Sequence, residues 1–102
     1  MLQMRPSCEH CNTDLPPDSI HAMICSFECT FCRVCVDEVL GNVCPNCGGG
    51  FEPRPVRVQR AWRAGVSLTE APASTERVYD PVDPEAHREF RAPIIAIPPQ
   101  QR

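Results

Sequence analysis

Eight cysteines fall between Cys8 and Cys47, and their spacing is that of metal ligands. In order they read C-x2-C (Cys8, Cys11), thirteen residues, C-x3-C-x2-C-x2-C (Cys25, Cys29, Cys32, Cys35), eight residues, and C-x2-C (Cys44, Cys47). Two intervening residues let the backbone curl so that both thiolates face one ion. Zinc takes four such ligands in a tetrahedron with arms of ~2.3 Å. Eight thiols complete two four-cysteine sites with none left over, so the pattern predicts two structural Zn2+ ions.

Other chemistries fit the spacing less well. Cys29, Cys32 and Cys35 followed by Cys44-Pro45 echo a ferredoxin iron–sulfur run. That run has three residues, not eight, before its last cysteine, and it would leave Cys8, Cys11, Cys25 and Cys47 idle. A catalytic zinc keeps three protein ligands and an open position, whereas four-cysteine sites are closed. His10 and His21 are the histidines within reach of the pattern, and both read as surface residues rather than ligands. No Ser/His/Asp or paired-carboxylate constellation stands out, so the chain reads as non-enzymatic. A thiol redox sensor that releases zinc on oxidation is a further reading of the same residues.

The ligands need elements to hold them. Ile20, Ala22 and Ile24 alternate with Ser19, His21 and Met23, a weak strand signal. After Cys35, Val36, Val39 and Leu40 recur at helical spacing and Gly41 stands at the C-terminal cap, which predicts a short helix over Arg33–Leu40. A helix whose first turn carries Cys32 and Cys35 favours their thiolates through its dipole. That helix would pair with the knuckle Cys8/Cys11, giving one site from Cys8, Cys11, Cys32 and Cys35 and a second, interleaved one from Cys25, Cys29, Cys44 and Cys47. Sequential pairing, with the first four cysteines in one site and the last four in the other, is the alternative.

The interleaved order resembles the RING finger, a cross-braced treble clef, over residues 8–47. Cys29 stands where RING fingers often have His, and Cys44-Pro45-Asn46-Cys47 is a RING-like last knuckle. The resemblance implies a small zinc-stabilised α+β fold with few short strands, one short helix and a proline-rich C-terminal tail. It departs from RING ubiquitin ligases at Asn12, at the Val39–Val43 stretch and at Gly48, where the ligases carry an apolar residue, an aromatic and a cation. Those departures argue against ligase activity. The run ICSFECTFC with CPNCGG and the opening MRPSCEHC are also similar to a family of short bacterial cysteine-rich proteins that carries a domain-of-unknown-function label.

A chain of 102 residues makes one small domain. With four Phe, one Tyr and one Trp, its core is thin enough to need a metal staple. No secretory signal and no apolar run near ~20 residues is visible, so a reducing, cytoplasmic setting without a membrane is expected. Residues 1–52 form the predicted zinc module. Residues 53–102, interrupted by eight prolines, read as an extended or flexible tail, with a short helix near 84–91 signalled by Asp83-Pro84-Glu85.

Charge is uneven. Residues 1–50 carry two arginines against six acids, a balance of −4, and residues 51–102 eight arginines against seven acids, +1. All ten cations are arginine. Arg54, Arg57, Arg60 and Arg63 recur every third residue with Trp62 beside them, a stripe able to grip phosphates and stack on a base. The alternative is a linker that packs Trp62 on the acidic module and offsets its charge. The function expected from these residues is a zinc scaffold for a protein partner, with nucleic-acid binding or regulation through the stripe as the second reading. The apolar Ala92–Pro98 segment could add to a partner as an edge strand or fold back on the module.

Overall fold

The computed structural model describes all of residues 1–102. β1 (Ala22–Ile24) and β2 (Thr30–Cys32) make an antiparallel hairpin, with Ala22 opposite Cys32 and Ile24 opposite Thr30. The register carries on past the strands, because the Cys25 N–H donates to the Cys29 carbonyl at 3.2 Å. Cys25 and Cys29 thus face each other across the hairpin turn, where Glu28 takes a left-handed φ of 67°.

The chain leaves β2 directly into α1 (Arg33–Cys35), which continues as a π-helical turn over Val36–Leu40. Val36 and Leu40 bury the inner face, and Gly41 ends the element at φ 60° in the left-handed region that glycine occupies at least cost. The expected helix over Arg33–Leu40 is therefore present, with its second half wound wider. β3 (Glu52–Pro53) pairs with the free side of β1, giving the order β2-β1-β3. Pro53 has no N–H to offer, which an edge strand tolerates.

Only 22 of 102 residues are buried, and six of the cysteines are among them: Cys8, Cys25, Cys29, Cys32, Cys35 and Cys44. The apolar remainder centres on Phe31, packed edge-on against Phe51 at 5.5 Å between ring centroids, with Leu15, Val36 and Leu40 around them. A core this small leaves much of the fold to polar links.

The proline-rich half supplies many of them. It is irregular for most of its length, yet it wraps the module as a belt. Ser74 and Asp80 donate backbone N–H groups to the carbonyls of Gln3 and Glu9, at 2.9 and 2.8 Å. α2 (Pro84–Arg91) starts where its Asp-Pro-Glu signal predicts, with Asp83 Oδ1 accepting from the Glu85 N–H at 3.0 Å. Such a short helix needs an anchor. His87 Nε2 lies 2.9 Å from the Leu40 carbonyl, and Arg91 donates to the Val39 carbonyl at 3.1 Å. The Leu40 oxygen can only accept, so Nε2 carries the proton. The Arg91 bond closes a carbonyl that the end of a helix leaves open, and His87 adds a second partner to the Leu40 carbonyl, which also accepts the Val43 N–H at 3.2 Å. Residues 92–98 fold back in turns, with the Ile95 Cδ1 against Gly41 and the Ile94 Cδ1 against Gly48, rather than forming a strand.

The packed structure continues past residue 52. β3 crosses it, and Arg54 beyond it is buried, 5% exposed, with its guanidinium donating to the carbonyls of Arg5, Leu15 and Pro16 at 2.7, 3.1 and 3.0 Å. Arg54→Met keeps the bulk and removes the donors, leaving the carbonyls of Arg5 and Leu15 without partners, while Pro16 keeps the Ser19 N–H. It is expected to lower the unfolding free energy by about 2–4 kcal/mol in a denaturant titration, whereas the solvent-facing Arg60→Met stays within ~0.5 kcal/mol of the parent.

Candidate metal centre

The two C-x2-C knuckles are built alike. The Asn12 N–H donates to the Cys8 carbonyl at 3.0 Å, and the Gly48 N–H to the Cys44 carbonyl at 2.8 Å. Each turn closes with a return bond, from the Cys8 N–H to Thr13 and from the Cys44 N–H to Gly49, at 3.0 and 2.8 Å. The residue after the second cysteine is left-handed in both, Asn12 at φ 62° and Gly48 at φ 77°. Asparagine and glycine enter that region most readily. Asn12 and Gly48, which set this chain apart from RING ligases, are thus the residues the knuckle backbone requires.

The first knuckle meets the start of α1. The sulfurs of Cys8, Cys11, Cys32 and Cys35 all lie within 4.8 Å of one another, and Cys11 Sγ is 3.8 Å from Cys32 Sγ. Four thiolates on arms of ~2.3 Å around one tetrahedral ion would sit ~3.8 Å apart, so the cluster has the dimensions of a single-ion site. The second knuckle meets the hairpin turn. Cys25, Cys44 and Cys47 lie within the same mutual distance, and Cys29 touches Cys25 and Cys44 from outside that circle, making the second cluster the looser one. No disulfide joins any pair. Two cysteine clusters that can hold metal ions therefore interleave along the chain; the sequential grouping does not occur.

The thiols are tuned by their surroundings. Burial pushes the pKa of Cys29, Cys32, Cys35 and Cys44 upward. For Cys44, N–H groups of Asn46 and Cys47 pull the other way. Cys11 is exposed, and although burial still acts on it, the Thr13 N–H with the thiols of Cys8, Cys35 and Cys32 brings its pKa below the ordinary value. Buried thiols that hold their protons alone give them up to a divalent cation, which displaces four protons and leaves a four-thiolate site with a net charge of −2. Outer donors are in place as well. Asn46 Nδ2 and the Gly49 N–H each lie 3.4 Å from a sulfur, of Cys29 and Cys47 respectively.

Neither histidine belongs to a cluster. His10 Nδ1 accepts the Val82 N–H at 2.9 Å, so it receives the belt, and His21 is exposed beside α1. The arginine stripe does not form one face. Arg54 points inward as described, and Arg57 donates to the carbonyls of Leu2 and Ala71 at 2.6 and 2.8 Å. Arg60 and Arg63 remain exposed, and Trp62, 71% exposed, does not pack on the module. Glu9 was not singled out by its sequence context, yet it is buried. Its carboxylate accepts from the Thr30 N–H and from Arg5, the latter at 2.9 Å, which ties the first knuckle to β2.

The interleaving can be read from metal stoichiometry. With Zn2+ supplied, Cys8→Ser/Cys35→Ser strikes one cluster and is expected to keep one ion by native mass spectrometry. Cys8→Ser/Cys25→Ser strikes both and is expected to keep none; sequential sites would reverse the two results.

A family model for proteins of unknown function, DUF1272, matches residues 1–57. An uncharacterized protein of Rhizobium meliloti (strain 1021) is 54% identical over 81 residues, covering 79% of this chain and 89% of that protein. No solved structure matches the chain. No helix is long and apolar enough to cross a membrane.

Proposed function

The chain belongs to the DUF1272 family, and from that premise we propose that it is a two-zinc structural module, RING-like in its interleaved ligand order, that serves as a non-enzymatic scaffold for a protein partner in a reducing compartment. Cys8, Cys11, Cys32 and Cys35 hold one ion, and Cys25, Cys29, Cys44 and Cys47 the other. The observation that carries this reading is the mutual 4.8 Å approach of the four sulfurs of the first cluster, with its 3.8 Å contact between Cys11 and Cys32.

Zinc suits that arrangement better than iron–sulfur chemistry. A polynuclear cluster spreads its thiolates by the added metal–metal edges, whereas these four converge on one point. Four thiolates fill a tetrahedron and leave no position for water or substrate, which supports a structural role over a catalytic one. Bound zinc supplies cross-links: each ion fixes two chain segments far apart in sequence and neutralises part of the charge of its thiolates.

Elemental analysis of the purified chain is expected to give two zinc atoms per chain and no iron. Removing them with a strong chelator is expected to abolish the near-ultraviolet and amide-protection signals of the folded state, since structural zinc contributes about 10–16 kcal/mol per site in small modules. A chain that kept its native spectrum after the metal was stripped would refute the structural role.

A further inference from the structure

Between the N-terminal residues and the segment 55–71 lies a cleft of about 600 Å3. Its walls are mainly aliphatic: Leu2, Met4, Val56, Val58, Val66 and Ala71. Val56, Val58 and Val66 are 51, 47 and 57% exposed, so about half of each side chain is open to a partner. Arg57 holds the cleft open, because its guanidinium bridges the Leu2 carbonyl on one wall to the Ala71 carbonyl on the other. The Leu68 N–H donates to the Val58 carbonyl at 2.9 Å, closing residues 58–68 into a loop. That loop presents Arg60, Trp62 and Arg63 to solvent, with the Arg60 guanidinium 5.9 Å from the indole centroid.

We propose that this cleft and the neighbouring Arg60–Trp62–Arg63 tip dock a protein segment that carries aliphatic anchors next to acidic residues. The proposal rests on the scaffold reading above and specifies its partner. Charge complementarity selects the acidic character. No Asp or Glu occurs between Glu52 and Glu70, and Arg60 and Arg63 bond to nothing in the chain, whereas the other free arginines, Arg33 and Arg88, have Asp37 and Glu85 within a helical turn. Exposed tryptophan and arginine beside an apolar cleft that a partner can desolvate are the residues that dominate protein interfaces. Glu70, the one acid on the wall, sets the polarity, because the partner's carboxylates must lie toward the arginines and away from it.

Single-stranded nucleic acid fits less well. Backbone tracking needs a run of phosphate contacts, and only two of the four stripe arginines are free. One face of Trp62 already carries Arg60, and an aliphatic cleft offers a phosphate nothing.

The test uses the full, zinc-loaded chain. A random dodecapeptide library displayed on phage is selected against it and counter-selected against Arg60→Glu/Arg63→Glu, whose two side chains make no internal bonds. The enriched peptides are expected to pair two or more acids with Leu, Ile, Val or Met. They are also expected to shift the emission of Trp62, the chain's single tryptophan, to the blue, and to bind roughly tenfold or more weakly to the charge-reversed variant and to Val66→Asp. No enrichment, enrichment of peptides without acids, unchanged binding to either variant, or an oligothymidylate that saturates the Trp62 signal more tightly than any peptide overturns the proposal. Zinc content and chelator sensitivity are measured on the same preparations. Loss of peptide binding with two zinc ions and the native fold retained refutes the docking site alone, and a folded chain without zinc refutes the structural-zinc reading.

Discussion

The fold depends on one constraint: sulfurs from distant parts of a short chain must reach two points in space. The segment from Cys25 to Cys35 is where both demands meet. The hairpin turn hands Cys25 and Cys29 to the last knuckle, and the junction of β2 with α1 hands Cys32 and Cys35 to the first. Neither cluster can form without fixing the hairpin, and the hairpin, with three-residue strands, is too short to persist alone. Cysteine clusters and sheet are therefore one cooperative unit. Glu9 reinforces it by bonding the first knuckle to the backbone of β2 through both its main chain and its carboxylate.

Local chemistry was legible in the sequence, and tertiary use of polar side chains was not. The ligand pairs, the helix after Cys35 stopping at Gly41, and the Asp83 cap of α2 each rest on residues adjacent in the chain, so their signals are local. The interleaved grouping followed from one more local fact, the pair of cysteines at the first turn of α1. By contrast, the three-residue period of the arginines describes a strand or helix edge, and the chain there is neither. What turns Arg54 and Arg57 inward is the position of carbonyls 14 to 55 residues away, which no spacing rule encodes. β3 was missed for a related reason. Glu52-Pro53 has no strand pattern of its own and pairs only because β1 offers an open edge.

The belt gives half of the arginines a common task. Every cation in the chain is arginine. A fold with so little regular structure leaves many carbonyls without a ladder partner, and a buried one needs a donor. Lysine offers a single nitrogen, whereas guanidinium spreads five donors across a rigid fork and serves several acceptors at once. Arg54 uses three carbonyls, Arg77 bonds both Asn12 and Asp14, and Arg102 closes the carbonyls of Asn42, Gly48 and Ile97. Arg91 and His87 do the same for the end of the helix that carries Cys32 and Cys35.

The belt and the cysteine clusters are then linked through the two knuckles. Arg77 grips the first knuckle at the left-handed Asn12, and Arg102 grips the second at the left-handed Gly48. These are the two residues whose backbone conformation lets each knuckle close. If metal loss opened the knuckles, the acceptors would move and the arginines would lose their targets. If the belt were released, the same carbonyls would have to find water. Because the bonds to the belt exist only with the knuckles closed, their free energy adds to ligand preorganisation rather than to the belt alone. The proline-rich half of the chain, which has little secondary structure to call its own, is a working part of the cysteine-rich module.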